Sequence, residues 1–100
     1  MYLKIKDNVD LEELKKYGFK KIGDFYIREY EEPDVINYYK KHYIRIRNLP
    51  KYAYYKEIWD CAEDRLGFVH TNYDNVGIYN KIQDLIEADL IEMPEGWIWT

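Results

Sequence analysis

The run NVGIYNKIQDLIEADLIEMPEGWIWT, Asn75 to Thr100, changes period halfway along, and that change sets the class of the protein. In its first half Tyr79, Ile82, Leu85 and Ile86 recur at helical spacing, with Lys81, Gln83, Asp84 and Glu87 opposite them, the signature of an amphipathic helix. Asp74 or Asn75 supplies the N-cap, and Asp89 stands where a left-handed residue ends such a helix. Leu90 to Met93, the turn cluster Pro94-Glu95-Gly96 and Trp97-Ile98-Trp99 then predict a closing β-hairpin.

Immediately upstream, Asn48-Leu49-Pro50 reads as a helix start, since Asn caps and Pro fits the first turn. Tyr55, Ile58, Trp59, Ala62 and Leu66 continue at helical spacing to a stop at Gly67, which predicts a helix over residues 50–66. A competing arrangement pairs Ile58–Ala62 with Leu66–His70 as a hairpin about Asp64-Arg65, but it leaves that helical period unused. Phe68 to Tyr73 connects to the last helix in partly extended form.

The first half of the chain alternates instead. Tyr2–Lys6 places Leu3 and Ile5 on one side and Lys4 and Lys6 on the other, as a half-buried strand does. Asp10 is an N-cap with Glu13 as its capping-box partner, Leu11 and Leu14 give the short helix its apolar side, and Gly18 ends it. Phe19–Ile22, a Gly23-Asp24 turn and Phe25–Tyr30 form a hairpin. Glu31–Asp34 is a loop, Val35–Lys40 fits a helical turn or a strand start, and His42–Arg47 turns Ile44 and Ile46 one way and Tyr43, Arg45 and Arg47 the other. The expectation is a single α+β domain: a small antiparallel sheet, about three helices and a C-terminal hairpin.

At 100 residues and 47% hydrophobic content the chain builds one core, and its 12 Tyr, 3 Trp and 3 Phe carry enough apolar area to oppose disorder. A single cysteine, Cys61, forms no internal disulfide, which suits the reducing cytoplasm of a host cell. MYLKIKDNVD is broken by charges and no stretch is long enough to span a bilayer, so neither export nor a membrane partner is expected.

The net charge of −4 hides a segregation: residues 35–56 carry six bases and no acid, whereas residues 57–100 carry ten acids and two bases. In the basic segment Tyr38, Tyr39, Lys40, Lys41, Tyr43, Arg45, Arg47, Lys51, Tyr52 and Lys56 interleave rings with cations. Bases stack on rings and phosphates pair with Lys and Arg, so the segment suits single-stranded nucleic acid. Tyr and Arg are also the residues that anchor protein interfaces, and Tyr is an ordinary covering for a small sheet. All three roles fit the same residues. Asp60, Glu63, Asp64, Asp84 and Glu87 belong to an acidic surface, read either as a phosphate-like face for a basic groove or as a solvated exterior. Trp97 and Trp99 share a face of the last strand, placed over the core.

Catalytic chemistry finds little support. Cys61 with His42 or His70 is the one conceivable thiolate–imidazole pair, and a buried Cys on a helix is more simply an inert small hydrophobe. Cys and His spacing matches no metal site, and five scattered glycines assemble no phosphate loop. The chain is read as a non-enzyme with no cofactor, no metal and no catalytic residue.

Val9–Lys20, VDLEELKKYGFK, resembles the opening of short phage and prophage proteins of low-GC Gram-positive bacteria. That resemblance implies a small accessory protein, and anti-CRISPR inhibitors, which bind an effector stoichiometrically, are the best-known group of that kind. Leu85–Gly96, LIEADLIEMPEG, is similar to the end of a winged-helix domain, which would put Tyr79, Asn80, Lys81 and Gln83 on a recognition helix and Pro94–Gly96 at the wing tip. Asp84, Glu87, Glu92 and Glu95 would then face the phosphates, so the resemblance implies shared topology without DNA contact. Together these features lead us to expect a phage-encoded inhibitor that sterically blocks a host defence or nucleic-acid-handling complex, as monomer or homodimer. The other expectation is a nucleic-acid-binding regulator that uses residues 38–56.

Overall fold

The computed structural model describes residues 3–33, 37–72 and 75–94. Within them the protein is α+β, a five-stranded antiparallel sheet accompanied by a two-stranded sheet and short helices. β1 (Lys4–Ile5) leads to a 3-10 helix (Leu11–Tyr17), then β2 (Lys20–Ile22), β3 (Phe25–Tyr30), β4 (Tyr39–Arg47), β5 (Ile58–Asp64) and β6 (Val69–Asn72). α1 (Asn75–Lys81), α2 (Gln83–Glu87) and β7 (Ile91–Glu92) follow. The large sheet runs β2-β3-β4-β5-β6 in sequence order, and β1 pairs with β7 in the small one.

The N-terminal segment folds where its residues direct. Asp10 is extended and its carboxylate accepts the Glu12 N–H, satisfying a first-turn amide. Gly18, at φ 84°, turns its own N–H back to the carbonyls of Leu14 and Lys15, a conformation that costs a Cβ-bearing residue energy. Glu13, the expected capping-box partner, pairs with Lys16 at 2.9 Å instead. The β2–β3 hairpin turns at Gly23-Asp24 with Ile22 opposite Phe25.

Strand alternation decides what each side of the sheet carries. Cross-strand partners share a face, so Tyr26, Ile46 and Ile58 stack inward in one row, and Ile44 stands opposite Asp60. The core joins these inward side chains to Leu3, Ile5, Leu11, Leu14, Ile78, Ile82, Leu85 and Ile91, all buried.

The helix expected over residues 50–66 is not formed. Residues 49–57 make a series of tight turns, with the N–H groups of Tyr52, Tyr55 and Glu57 donating to carbonyls three residues earlier, and residues 58–64 are β5. The chain adopts a hairpin here, as the competing arrangement had it, but β5 runs on to Asp64, the turn spans residues 65–68 and β6 is Val69–Asn72. The reason is chemical. Ile58, Asp60, Ala62 and Asp64 point inward, and two of those four positions are aspartates, so a strand's apolar alternation is hidden from a hydropathy pattern. Both carboxylates are buried because each has partners. Asp60 accepts from the Tyr30 hydroxyl and from Lys81 Nζ, the latter at 2.8 Å. Asp64 accepts the amides of Leu66 and Phe68 and meets His70 Nε2 at 2.8 Å, closing the β5–β6 turn.

The last helical segment is broken at Ile82 into α1 and α2, and its buried residues are Ile78, Ile82 and Leu85; Tyr79 and Ile86 are half-buried. Asp89 takes the left-handed conformation, φ 61°, at the expected place. β7 then pairs with β1, Ile91 opposite Ile5. Asp74, Glu95, Gly96, Trp97 and Trp99, and with them the N-cap at 74 and the second arm of the terminal hairpin, lie outside the described residues. Arg28 fastens these layers together: its guanidinium lies 4.7 Å above the Phe19 ring, donates to the carbonyls of Tyr17 and Lys81, and pairs with Asp84 at 2.7 Å. No helix among the described residues is long and apolar enough to cross a membrane.

Lys56 is a further buried polar anchor, 4% exposed, with φ 66°. Its Nζ donates to the carbonyls of Lys6, Asp7 and Val9 at 3.1, 3.0 and 2.6 Å, while its backbone carbonyl accepts the Ile5 N–H. Lys56→Met keeps most of the side-chain volume and takes the donor from the part-buried carbonyls of Lys6, Asp7 and Val9. Chemical unfolding is expected to show a loss of about 1–3 kcal/mol, the order of cost when a part-buried polar group loses its hydrogen-bond partner. A change near zero would mean the ammonium contributes nothing there.

The His70 imidazole, opposed by burial and aided by the Phe68 and Leu66 amides, holds the Asp64 carboxyl below its usual value. A lowered carboxyl pKa contributes stability that is present above the unfolded value and is lost as pH falls through the folded one. The urea midpoint of the wild type is therefore expected to fall more steeply below about pH 4 than that of Asp64→Asn. Parallel curves would contradict this role.

Candidate binding face

The sheet side turned away from the core collects rings and guanidinium groups from three strands. Phe25 stands opposite Arg47, Ile27 opposite Arg45, Arg45 opposite Trp59, and Tyr43 opposite Cys61. Arg45 Cζ lies 4.5 Å from the Phe25 ring centroid and 4.9 Å from that of Trp59. Arg47 Cζ lies 5.3 Å from Trp59, 5.6 Å from Phe25 and 5.7 Å from Tyr54. Tyr54 comes from the turns after β4 and meets Trp59 at 6.0 Å. Trp59 is tied in place by its indole N–H, which donates to Glu57 at 3.2 Å.

These contacts set both guanidinium groups beside rings. Among the described residues neither the Arg45 nor the Arg47 guanidinium has a carboxylate within ion-pair distance or a side-chain hydrogen bond. A cation held by rings in this way retains its charge and its fork of donors while losing little freedom. The site suits an incoming carboxylate or phosphate, with Trp59 and Phe25 offering apolar contact beside it. Lys41, whose Nζ is 5.6 Å from the Tyr43 ring, extends the same side.

The ten residues expected to act together divide. Lys41, Tyr43, Arg45 and Arg47 share the outer face, with Tyr43 itself buried at 6% exposure. Lys40 is exposed and pairs with Glu63 at 3.6 Å. The register shift between Tyr39 and Lys41 turns Tyr39 to the opposite side, opposite Asp64, with Tyr38 edge-on to it at 4.8 Å. Lys51 and Tyr52 are exposed in the turns. Lys56 is interior and bound to backbone, so it is removed from the patch. The expected acidic surface forms only in part: Asp60 and Asp64 are buried and Glu63 is half-buried against Lys40, whereas Asp84, paired with Arg28, and Glu87 are exposed. Phe25 and Trp59 were missed. The helical period puts Trp59 on a helix, and Phe25 meets the arginines only through cross-strand register.

Cys61 sits on this outer side at 1% exposure, whereas His42, Ala62 and His70 occupy one row on the other side of the sheet. A thiolate–imidazole pair with either histidine is thus separated by the sheet itself. Burial pushes the thiol up to about 11, against a small opposing effect of Arg45. Among the described residues no group of three His, Cys, Asp or Glu side chains is arranged to hold a metal ion. No protein-family model, no curated protein and no solved structure matches the chain.

Because thiolate is the reactive form, Cys61 in the native protein is expected to react with a disulfide reagent at neutral pH at least about 100-fold more slowly than in denaturant. Equal rates would place the thiol at an accessible, activated position.

Proposed function

We propose that this protein is a non-catalytic binding protein that blocks a host nucleic-acid-handling or defence complex, and that the arginine–aromatic face is its contact surface. The observation that carries this is the pair Arg45 and Arg47, held by Phe25, Trp59 and Tyr54 with no internal carboxylate partner among the described residues. Rigid Arg and Trp side chains are the commonest sources of interface energy, because they bury large area at little entropic cost. The resemblance of Val9–Lys20 to phage accessory proteins supplies the setting, and stoichiometric inhibition of an RNA-guided effector is the form of blocking it suggests.

The same guanidinium groups, without a carboxylate partner among the described residues, favour a second reading, a nucleic-acid-binding regulator. Stacking rings beside donors that suit phosphate are what a single-stranded platform presents. The net charge of −4 weighs against it, since long-range attraction to a polyanion is weak in an acidic protein.

Titration of the purified protein into cleavage reactions of RNA-guided nucleases, with labelled single-stranded DNA and RNA assayed in parallel, separates the two. Inhibition saturating near one protein per effector is expected. The Arg45→Ala/Arg47→Ala variant is expected to weaken inhibition by about 30-fold or more, because truncating an interface anchor costs roughly 2 kcal/mol or more. Inhibition undiminished in that variant would remove the face from the contact. Oligonucleotide binding by the protein alone, falling steeply with salt and lost in the variant, would replace the inhibitor with the regulator.

A further inference from the structure

β4 serves the other side of the sheet as well. Where the core ends, beyond Ile44, His42 faces inward beside Tyr30 on β3 and Ala62 on β5, and α1 brings Lys81 over the same edge. The result is a cleft of about 400 Å³ whose walls include Tyr30, Tyr39, His42, Asp60, His70 and Lys81. That is within the roughly 300–1,000 Å³ typical of small-molecule sites.

Three features define what would fit. The first is a ring-lined wall: His42 lies 5.2 Å from Tyr39 and 5.7 Å from Tyr30, and Tyr39 lies 5.7 Å from His70, a geometry that favours a flat aromatic guest. The second is an unsatisfied atom. Among the described residues His42 Nε2 is buried with no hydrogen-bond partner, whereas Tyr30 and Lys81 bond to Asp60 and Asp64 to His70. A guest edge carrying both a donor and an acceptor completes His42 in either neutral tautomer. The third is charge. Lys81 is already paired with Asp60 at 2.8 Å and approached by Glu32 at 3.6 Å, so the charged side chains lining the cleft leave an excess of one acid with the histidines neutral. A phosphate group would meet that excess, and a neutral heterocycle would not.

We propose that this cleft binds a neutral planar heterocycle with adjacent hydrogen-bond donor and acceptor groups, the chemistry of a nucleobase presented as a free nucleoside, with His42 Nε2 as its polar contact. The site lies across the sheet from Arg45 and Arg47 and stands independently of the function proposed for them.

Ring 15N–1H spectra of His42 during titration with adenosine, guanosine, cytidine and uridine test this, with the matching 5′-monophosphates and a short single-stranded DNA as further arms. At least one nucleoside is expected to shift the His42 ring resonances saturably. Its monophosphate should bind at least about tenfold more weakly, as expected for a phosphate entering an acidic cleft. His42→Phe, which keeps a ring and removes the nitrogen, should lose at least about tenfold in affinity while its backbone spectrum stays that of the folded protein. No His42 shift with any of the four nucleosides overturns the proposal in the wild-type protein, whatever the variant does. So does tighter binding of the monophosphates. A His42 shift produced by the oligonucleotide alone also overturns it, by assigning the base to a nucleic-acid strand.

Discussion

Asp60 puts a carboxylate inside the sheet, and the way its charge is held determines what lies on either side of β5. A buried anion is costly unless it is both paired and hydrogen-bonded, and removing one partner of such a group is far more damaging than never having had it. Here the Tyr30 hydroxyl and the Lys81 ammonium supply those partners from β3 and α1. Burial and the Asp60 carboxylate together hold the Tyr30 phenol well above its ordinary range. Burial works against the charge of Lys81, yet the bonds to Asp60 and Tyr30 hold its pKa above the usual value. The Tyr30 phenol and the Lys81 ammonium therefore both keep their protons at neutral pH. They fasten the C-terminal helix to the sheet at the point where the apolar core runs out.

From that anchor the rest of the arrangement follows by alternation. With β5 in register beside β4, Ile46 meets Ile58 in the core, Arg45 meets Trp59 outside it, and His42 meets Ala62 at the cleft. A single strand thus contributes to the core, to a cationic aromatic face and to a polar recess, because a strand alternates its side chains between two faces. The two faces differ in electrostatic character for a local reason. Outside, the arginines rest on rings that do not neutralise them; inside, each buried carboxylate is matched by a donor. The bulge at Tyr39/Lys41 extends the division, sending Lys41 outward and Tyr39 toward the recess.

Much of the N-terminal half was legible because its signals are local. Asp10 and Gly18 bracket a helical turn, Gly23-Asp24 makes a hairpin, and Ile44 and Ile46 alternate with Tyr43, Arg45 and Arg47. Residues 50–66 differ from their sequence expectation because polarity there does not signal solvent. Asp60 and Asp64 point inward, so the strand lacks the apolar alternation by which strands are recognised, and Tyr55, Ile58, Trp59 and Ala62 coincide with a helical period. Polarity alone likewise places Lys56 in a binding patch, although it is bound to three backbone carbonyls, and counts Asp60 and Asp64 as surface. Of the binding face, Arg45, Arg47 and Tyr43 could be grouped from their spacing, but Phe25 and Trp59 belong to it only through register with β4. The recess has no linear signature: Tyr30, His42, His70 and Lys81 are assembled from four separate elements.

Everything proposed for either face depends on residues 58–64 being a strand beside β4. Interproton contacts measured by NMR across that region decide it. Close backbone contacts between Tyr43 and Cys61 and between Arg45 and Trp59 are the expected result, since these residues are direct cross-strand partners. A continuous series of contacts between residues three apart through 52–66, with none to β4, would mean that the segment is helical. Trp59 would then not lie beside Arg45, Asp60 would not enter the sheet, and both the binding face and the cleft would be dissolved.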